Sequence, residues 1–120
     1  MKSKEAVRAL AALAQDTRLA IYRLLIARGP QGMTAGNIAA ALDILPATLS
    51  FHLKALSAAG LLAARSESRF IFYAARFDRM NELLGFLTAN CCGGNPCTPV
   101  RVAVPVLPPV RAQRTARAKV

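Results

Sequence analysis

The sequence TAGNIAAALDILPATLSFHLKALSAAG, residues 34–60, determines the fold of this chain. Thr34 is a typical N-cap residue and opens a short, alanine-rich helix. After a three-residue turn, Pro46 opens a longer helix, because the first helical turn tolerates a residue without an N–H group. Gly60 ends that helix, since glycine readily adopts the left-handed conformation that follows a helix. Two helices joined by so short a turn predict a helix-turn-helix.

Apolar periodicity extends this motif in both directions along the chain. The predicted helices are Ser3–Leu13, 16–28, 34–42, 46–59 and a last one after Asp78, and the predicted strands are Leu61–Glu67 and Arg69–Ala75. Val7, Leu10 and Leu13 form a stripe along the first helix. Ser3 and Asp16 are the candidate N-caps of the first two helices. Helices around a single hairpin predict a mostly α fold with a small β-hairpin, the winged helix-turn-helix.

The composition agrees with one small domain followed by a tail. Of the 120 residues 54% are hydrophobic, and alanine and leucine favour helices over a strand-rich fold. Residues 1–90 are predicted to form the winged helix-turn-helix domain, 91–97 a cysteine segment, and 98–120 a basic, proline-containing tail that is disordered. The formal net charge of +10 suits a phosphate-bearing partner, with a merely solvated basic surface as the alternative.

The helix after Pro46 has two unlike sides. On a wheel of about 100° per residue, Leu49, Leu53 and Leu56 fall together and are predicted to face the core. The other side and its flanks are small, polar and basic, a surface that base edges in the major groove accept. The predicted DNA contacts on this helix are Ala47, Thr48, Ser50, Phe51, His52 and Lys54. Phe51 is suited to contact with a thymine methyl group. The alternative interpretation is that the whole helix is an ordinary amphipathic helix with a packing role.

The two predicted strands form a wing beside the helix-turn-helix. Arg65 and Arg69 flank the expected hairpin tip, residues 66–68, where they can reach backbone phosphates or a minor groove. A solvated surface charge is the alternative for each arginine. The combination of helix, turn, hairpin and basic tip favours binding to double-stranded DNA.

Three segments carry a family resemblance: LAQDTRLAI at 13–21, LSFHLKAL at 49–56 and AGLL at 59–62. In combination they resemble the ArsR/SmtB family of metalloregulatory repressors, over residues 4–90. The resemblance implies a homodimer joined through the first and last helices, which binds an inverted repeat and represses transcription. Residues 45–46 are Leu-Pro where the family often has Ser-Gln, which affects the expected base preference rather than the fold.

Three cysteines follow the last predicted helix in the pattern Cys-Cys-x4-Cys. They are Cys91, Cys92 and Cys97, and the gap contains two glycines and a proline that allow the chain to turn back. The three thiolates are predicted to converge on one soft ion such as trivalent arsenic or antimony, whereas zinc normally takes four ligands. The triplet resembles that of arsenite-responsive family members with a C-terminal site. The expected inducer is therefore the metalloid, and no organic cofactor is expected.

Other interpretations of the cysteines stay open. They are a thiol-disulfide switch between Cys97 and either neighbour, a zinc, cadmium or lead sensor, and cysteines without a function. Many zinc-sensing relatives carry Asp and His ligands on the last helix, where this chain has Asp78 and Glu82 but no histidine.

An enzyme is not expected, because a nucleophilic thiolate needs an activating base and the only histidine, His52, lies in the predicted DNA-binding helix. The N-terminus enters an amphipathic pattern at once, and an odd number of cysteines suits a reducing compartment. We therefore expect a cytoplasmic protein without a membrane segment.

Overall fold

A computed structural model describes residues 1–94 of the chain. Its elements are α1 (Ser3–Leu13), α2 (Asp16–Arg28), β1 (Met33–Thr34), α3 (Ala35–Leu42), α4 (Pro46–Ala58), β2 (Leu62–Glu67), β3 (Phe70–Ala75), α5 (Phe77–Leu87) and a 3-10 turn (Cys91–Gly94). This order confirms the predicted winged helix-turn-helix, in which helices predominate and β2 and β3 form the wing.

The helix-turn-helix consists of α3 and α4. The side chain of Thr34 caps α3 by accepting a hydrogen bond of 3.2 Å from the N–H group of Asn37. Asp43 follows α3 in the left-handed conformation, with φ at 53°, which a short polar side chain tolerates. The two helix axes bend by 113° across this turn, within the range of about 90–120° that such motifs adopt.

The sheet has a third strand that the sequence analysis did not predict. Its order is β1-β3-β2, all antiparallel, and Met33 pairs with Tyr73. Gly32 precedes β1 with φ at +73°, and a Cβ atom there would collide with the carbonyl oxygen of Tyr73. A glycine is therefore needed at this approach of the two strands. A strand of two residues is too short to produce an alternating pattern.

The core lies between the helices and the inner face of the sheet. Its buried apolar residues are Ala6, Ala9, Ala12, Ile21, Tyr22, Leu25, Met33, Ile38, Leu42, Leu49, Leu53, Leu56, Ala59, Leu61, Leu62, Ala75 and Leu83. Helix α1 enters this core through its alanines, which allow close packing against α2 and α4. Two residues of the stripe noted in the sequence, Val7 and Leu10, are exposed, whereas the third, Leu13, is partly buried and packs against the core.

The N-caps of the first two helices differ from the prediction. Ser3 lies inside α1, and the N–H group of Lys2 donates to the Glu5 carboxylate over 2.8 Å. This hydrogen bond lowers the pKa of Glu5 below its ordinary value. Asp16 lies inside α2, whose first turn is capped by the side chain of Gln15. In each case the residue one position earlier has the extended backbone that a cap requires.

Two sequence predictions lie outside the described residues: the position of Cys97 and the state of the tail at 98–120. Within residues 1–94, no single helix is long and apolar enough to cross a membrane, and α3 and α4 reach that length only as a bent pair.

Candidate nucleic-acid interface

One side of α4 anchors this helix in the domain. Leu49, Leu53 and Leu56 are buried, as their spacing predicted, where α4 packs against α1, α2, α3 and β2. The spacing of three and four residues places these side chains on one face. The opposite face of α4 is therefore left at the surface of the domain.

This opposite face carries most of the residues predicted to contact DNA. Ala47, Thr48, Ser50, Phe51 and Lys54 are all exposed, and we call them the recognition face. Phe51 is 65% exposed. A large aromatic ring at the surface does not stabilise the fold through burial. Their exposure agrees with the helical wheel, and their contact with DNA stays a prediction.

The sixth predicted contact, His52, does not belong to the recognition face. It is only 8% exposed, and its Nδ1 atom lies 3.4 Å from Nη1 of Arg18 on α2. A guanidinium can only donate, so Nδ1 accepts and the imidazole is neutral with its proton on Nε2. The reason is positional, because His52 stands one residue before Leu53 and turns with it toward the interior.

Two effects keep the His52 imidazole neutral. Burial lowers the pKa of His52 below its ordinary value, and the positive charge of Arg18 lowers this pKa further. The ring of His52 also contacts the ring of Phe51 edge-on, with the centroids 5.5 Å apart. His52 thus supports an exposed residue of the recognition face from below.

Arg18 connects three helices through its guanidinium group. Its Nε atom donates to the carbonyl oxygen of Ala12 over 2.7 Å, at the end of α1, while Nη1 faces His52 on α4. Bonds to the last carbonyl groups of a helix satisfy acceptors that have no partner within it. Arg18 therefore links α1 to the helix that carries the recognition face.

The wing places its two arginines in different settings. Arg65 forms an ion pair of 3.4 Å with Glu67 and lies over the ring of Phe72, 4.9 Å from its centroid. Arg69 is exposed and lies in the two-residue turn of the hairpin. The turn is formed by residues 68–69 rather than by the predicted 66–68, because strand pairing continues to Glu67 opposite Phe70. Arg69 therefore stands at the tip itself.

Cys91 and Cys92 lie in the 3-10 turn after α5. Both are exposed, and their Sγ atoms are 3.7 Å apart. Cys92 has a left-handed backbone with φ at 57°, which turns the chain directly after the helix. The third predicted ligand, Cys97, lies outside the described residues. In the part of the chain that the structure describes, no three His, Cys, Asp or Glu residues are grouped so that they could hold a metal ion.

The recognition face and the wing agree with the similarity of this chain to known DNA-binding proteins. Residues 13–65 match a family described as a helix-turn-helix domain. YceK of Bacillus subtilis (strain 168), an uncharacterized HTH-type transcriptional regulator, is 38% identical over 77 residues, which are 63% of this chain and 76% of YceK. The chain belongs to the helix-turn-helix transcriptional regulators.

Solved structures similar to this regulator include proteins described as ArsR-like or as possible ArsR-family regulators. An ArsR-like transcriptional regulator from Rhodococcus sp. RHA1 is 27% identical with a TM-score of 0.67, over 76% of this chain and 83% of that one. The homodimeric winged helix-turn-helix domain of Mb0332 from Mycobacterium bovis, a possible ArsR-family regulator, is 28% identical with a TM-score of 0.59, over 80% and 89%. A possible transcriptional regulator for arsenical resistance is 27% identical with a TM-score of 0.58, over 68% and 81%.

Two residues of the regulator's candidate interface were missed in the sequence. Leu45, the residue before α4, is 74% exposed beside the start of the recognition face. Because Leu45 precedes the helix, the helical period could not predict whether its side chain is buried or exposed. Arg18 was missed because its partners are distant in sequence. The one sequence signal for Arg18 is that it lies in the segment 13–21, which carries the family resemblance.

Proposed function

We propose that the regulator is a cytoplasmic repressor that binds an inverted repeat in operator DNA as a homodimer and is released by trivalent arsenic or antimony. The DNA-binding part of this proposal is supported by the recognition face on α4 and the basic tip of the wing. A helix of this kind fits the major groove, and arginines at a wing contact phosphates or the minor groove.

The homodimer is supported by apolar side chains at the surface of α1 and α5. Val7 on α1 is 63% exposed, and Leu10 on the same helix is exposed as well. On α5, which packs against α1, the exposed large apolar residues are Phe77, Phe86 and Leu87. Helices that expose apolar side chains in this way are typical of protein interfaces. A second copy of this chain is the occupant that we propose, since the Mycobacterium bovis relative is homodimeric.

The observation that carries the inducer proposal is the pair of neighbouring cysteine sulfurs after α5, of which that of Cys92 is disulfide-bonded in this structure and becomes a ligand on reduction. Two sulfurs, each about 2.3 Å from one tetrahedral ion, stand about 3.8 Å apart. The 3.7 Å between the Sγ atoms of Cys91 and Cys92 is therefore compatible with both sulfurs binding a single ion. In the sequence, Cys97 is close enough to add a third thiolate, and a set of three sulfurs suits a soft metalloid.

The position of the thiols also suggests how a ligand affects DNA binding. Helix α5 is one of the two proposed dimer helices and ends at Leu87, four residues before Cys91. A ligand that alters the end of α5 changes how the two copies stand relative to two half-sites of DNA. Couplings of this kind typically amount to about 1–3 kcal/mol, or about 5- to 150-fold in affinity.

Operator release is the test of the inducer. The reduced full-length chain is bound to a fluorescent duplex from the region upstream of its own gene and titrated with arsenite. The variants Cys91→Ser, Cys92→Ser and Cys97→Ser should each bind the duplex like the native chain and fail to release it. Arsenic X-ray absorption of the loaded native protein should show three sulfur neighbours. Release by arsenite from a variant lacking all three cysteines would contradict the proposal.

The same titration decides between the alternatives. The cysteines also suit a thiol-disulfide switch between Cys97 and either neighbour, in which an oxidant such as peroxide takes up the two electrons as the disulfide forms. Release by peroxide but not by arsenite would establish this redox switch. Release by zinc, cadmium or lead at lower concentrations than arsenite would instead establish a sensor of divalent metals.

A further inference from the structure

The recognition face has an unusual chemistry for reading base edges. Helix α4 contains no Arg, Asn, Gln, Asp or Glu, and Lys54 is its only charged residue. Bidentate recognition of guanine or adenine relies on Arg or Lys and on Asn or Gln, respectively. The helix therefore has no side chain for bidentate recognition of adenine, and bidentate recognition of guanine depends on Lys54.

The exposed apolar groups of this face are large and central. On the helical wheel, Ala47, Thr48 and Lys54 all lie within about 60° of Phe51. The Phe51 ring is 65% exposed, and Leu45 at the start of the helix is 74% exposed. The centre of the face is thus an aromatic ring whose neighbours are a methyl group, a hydroxyl-bearing side chain and one lysine.

The Phe51 ring also has a packing partner on the buried side of α4. It contacts His52 edge-on at 5.5 Å between centroids, and His52 is in turn fixed by Arg18 on α2. A ring that is ordered before binding loses little conformational entropy when it meets its ligand. The support from below therefore suits Phe51 to a binding role.

We propose that the regulator selects its operator through thymine 5-methyl groups, which Phe51 contacts in the major groove with help from Leu45. This inference rests on the proposed DNA-binding function and adds the chemistry of the site. Apolar contact with the thymine methyl is the one feature of the major groove that an aromatic or aliphatic side chain recognises. Lys54 on the same face and Arg69 at the wing tip make DNA a better occupant than an apolar protein surface.

The experiment removes the methyl group and nothing else from the DNA. A preferred site is first selected from randomised duplexes with the reduced full-length chain, and its thymines are then replaced one at a time by deoxyuridine. Base pairing is unchanged by this replacement. At one or more positions in each half-site, affinity should fall about fourfold for each contacted methyl group.

The variant Phe51→Ala should discriminate between the thymine and uracil duplexes much less than the native chain does, because only the contact from Leu45 remains. Its urea unfolding midpoint should equal that of the native chain, because the side chain is exposed. Leu19→Ala removes an exposed apolar side chain from α2 and should keep the full discrimination. Phe51→Leu retains part of the apolar contact, so its discrimination should lie between those of the native chain and Phe51→Ala.

Three outcomes would overturn this inference while leaving DNA binding in place. They are an unchanged affinity of the native chain for uracil duplexes, an unchanged discrimination in Phe51→Ala, and dissociation of the dimer by Phe51→Ala, which would show that a second copy covers the ring. Failure to select any duplex would overturn the DNA-binding function itself, and the inference with it.

Discussion

Nη1 of Arg18 lies 3.4 Å from Nδ1 of His52, so that α2 is joined to the recognition helix on its buried side. The same guanidinium donates to the carbonyl oxygen of Ala12 at the end of α1. Helix α1 is also the helix that we propose to join two copies of the chain. Arg18 therefore stands between the proposed dimer interface and the residues that face DNA.

Replacing Arg18 should weaken both the fold and DNA binding. Arg18→Met leaves the carbonyl group of Ala12 and the Nδ1 atom of His52 without their donor, and a buried group without a partner costs about 1–3 kcal/mol. Because the site is only partly buried, we expect a loss of about 1–2 kcal/mol in urea unfolding. Arg23→Met on the exposed side of α2 is the matched control and should change stability by less than about 0.5 kcal/mol. Equal stability of the two variants would contradict the linking role of Arg18.

The stability of the protein should fall in mild acid because of His52. Its pKa is lowered in the folded state, so below about pH 6.5 the unfolded chain binds a proton that the folded chain does not. The free energy of unfolding therefore decreases as the pH falls through this value, and it is unaffected by His52 above it. His52→Asn keeps an acceptor near the position of Nδ1 without a titrating group. Its unfolding free energy, measured between pH 7.5 and 5.5, should depend less on pH than that of the native chain; an identical slope would exclude His52 as the cause.

The two wing arginines should contribute unequally to the salt dependence of DNA binding. Each phosphate contact adds about 0.9 to the slope of log affinity against log salt concentration. Arg69→Ala should lower the slope by about 0.9 for each copy of the chain, or about 1.8 for the dimer, because Arg69 is exposed at the hairpin tip. Arg65→Ala should lower it less, since Arg65 is engaged by Glu67 and Phe72. Arg8→Ala on α1 serves as the control, and a slope unchanged by both wing variants would remove the wing from the interface.

Charges placed on the apolar side of α1 should separate the two copies. In Val7→Glu and Leu10→Glu the buried carboxylates would lack a partner in the dimer, whereas in a monomer they remain in water. We expect a monomer in sedimentation experiments, an unchanged helical circular dichroism, and a strong loss of affinity for a two-site duplex. Ala40→Glu, on an exposed position of α3, tests whether an added carboxylate alone has these effects. A dimer that persists in Val7→Glu would exclude α1 from the interface.

Local chemistry explains why so much of the fold could be predicted. The turn between α3 and α4 follows from Thr34 and Pro46, whose capping and backbone preferences act within a few residues. The buried side of α4 follows from the spacing of Leu49, Leu53 and Leu56. The exposure of Phe51 follows from the same period, since it stands opposite them.

Other features depend on partners that are distant in the chain. Leucine and valine in α1 produce a strong period, yet the fully buried residues of that helix are its alanines, whose small side chains allow α1 to pack closely against α2 and α4. The strand at Met33 exists only because β3 lies beside it. Arg65 is likewise engaged by residues on both strands of the wing.

The sequence by itself therefore determined the helix-turn-helix, the wing and the phase of the recognition helix, because these depend on short-range propensities and on a period of 3.6 residues. Only the tertiary structure decided that His52 turns inward to Arg18, that Arg69 stands at the tip, and that α1 leaves Val7 at the surface. The physical reason is that burial and hydrogen bonding depend on which elements meet in space, and a linear pattern specifies the sides of a helix but not its neighbours.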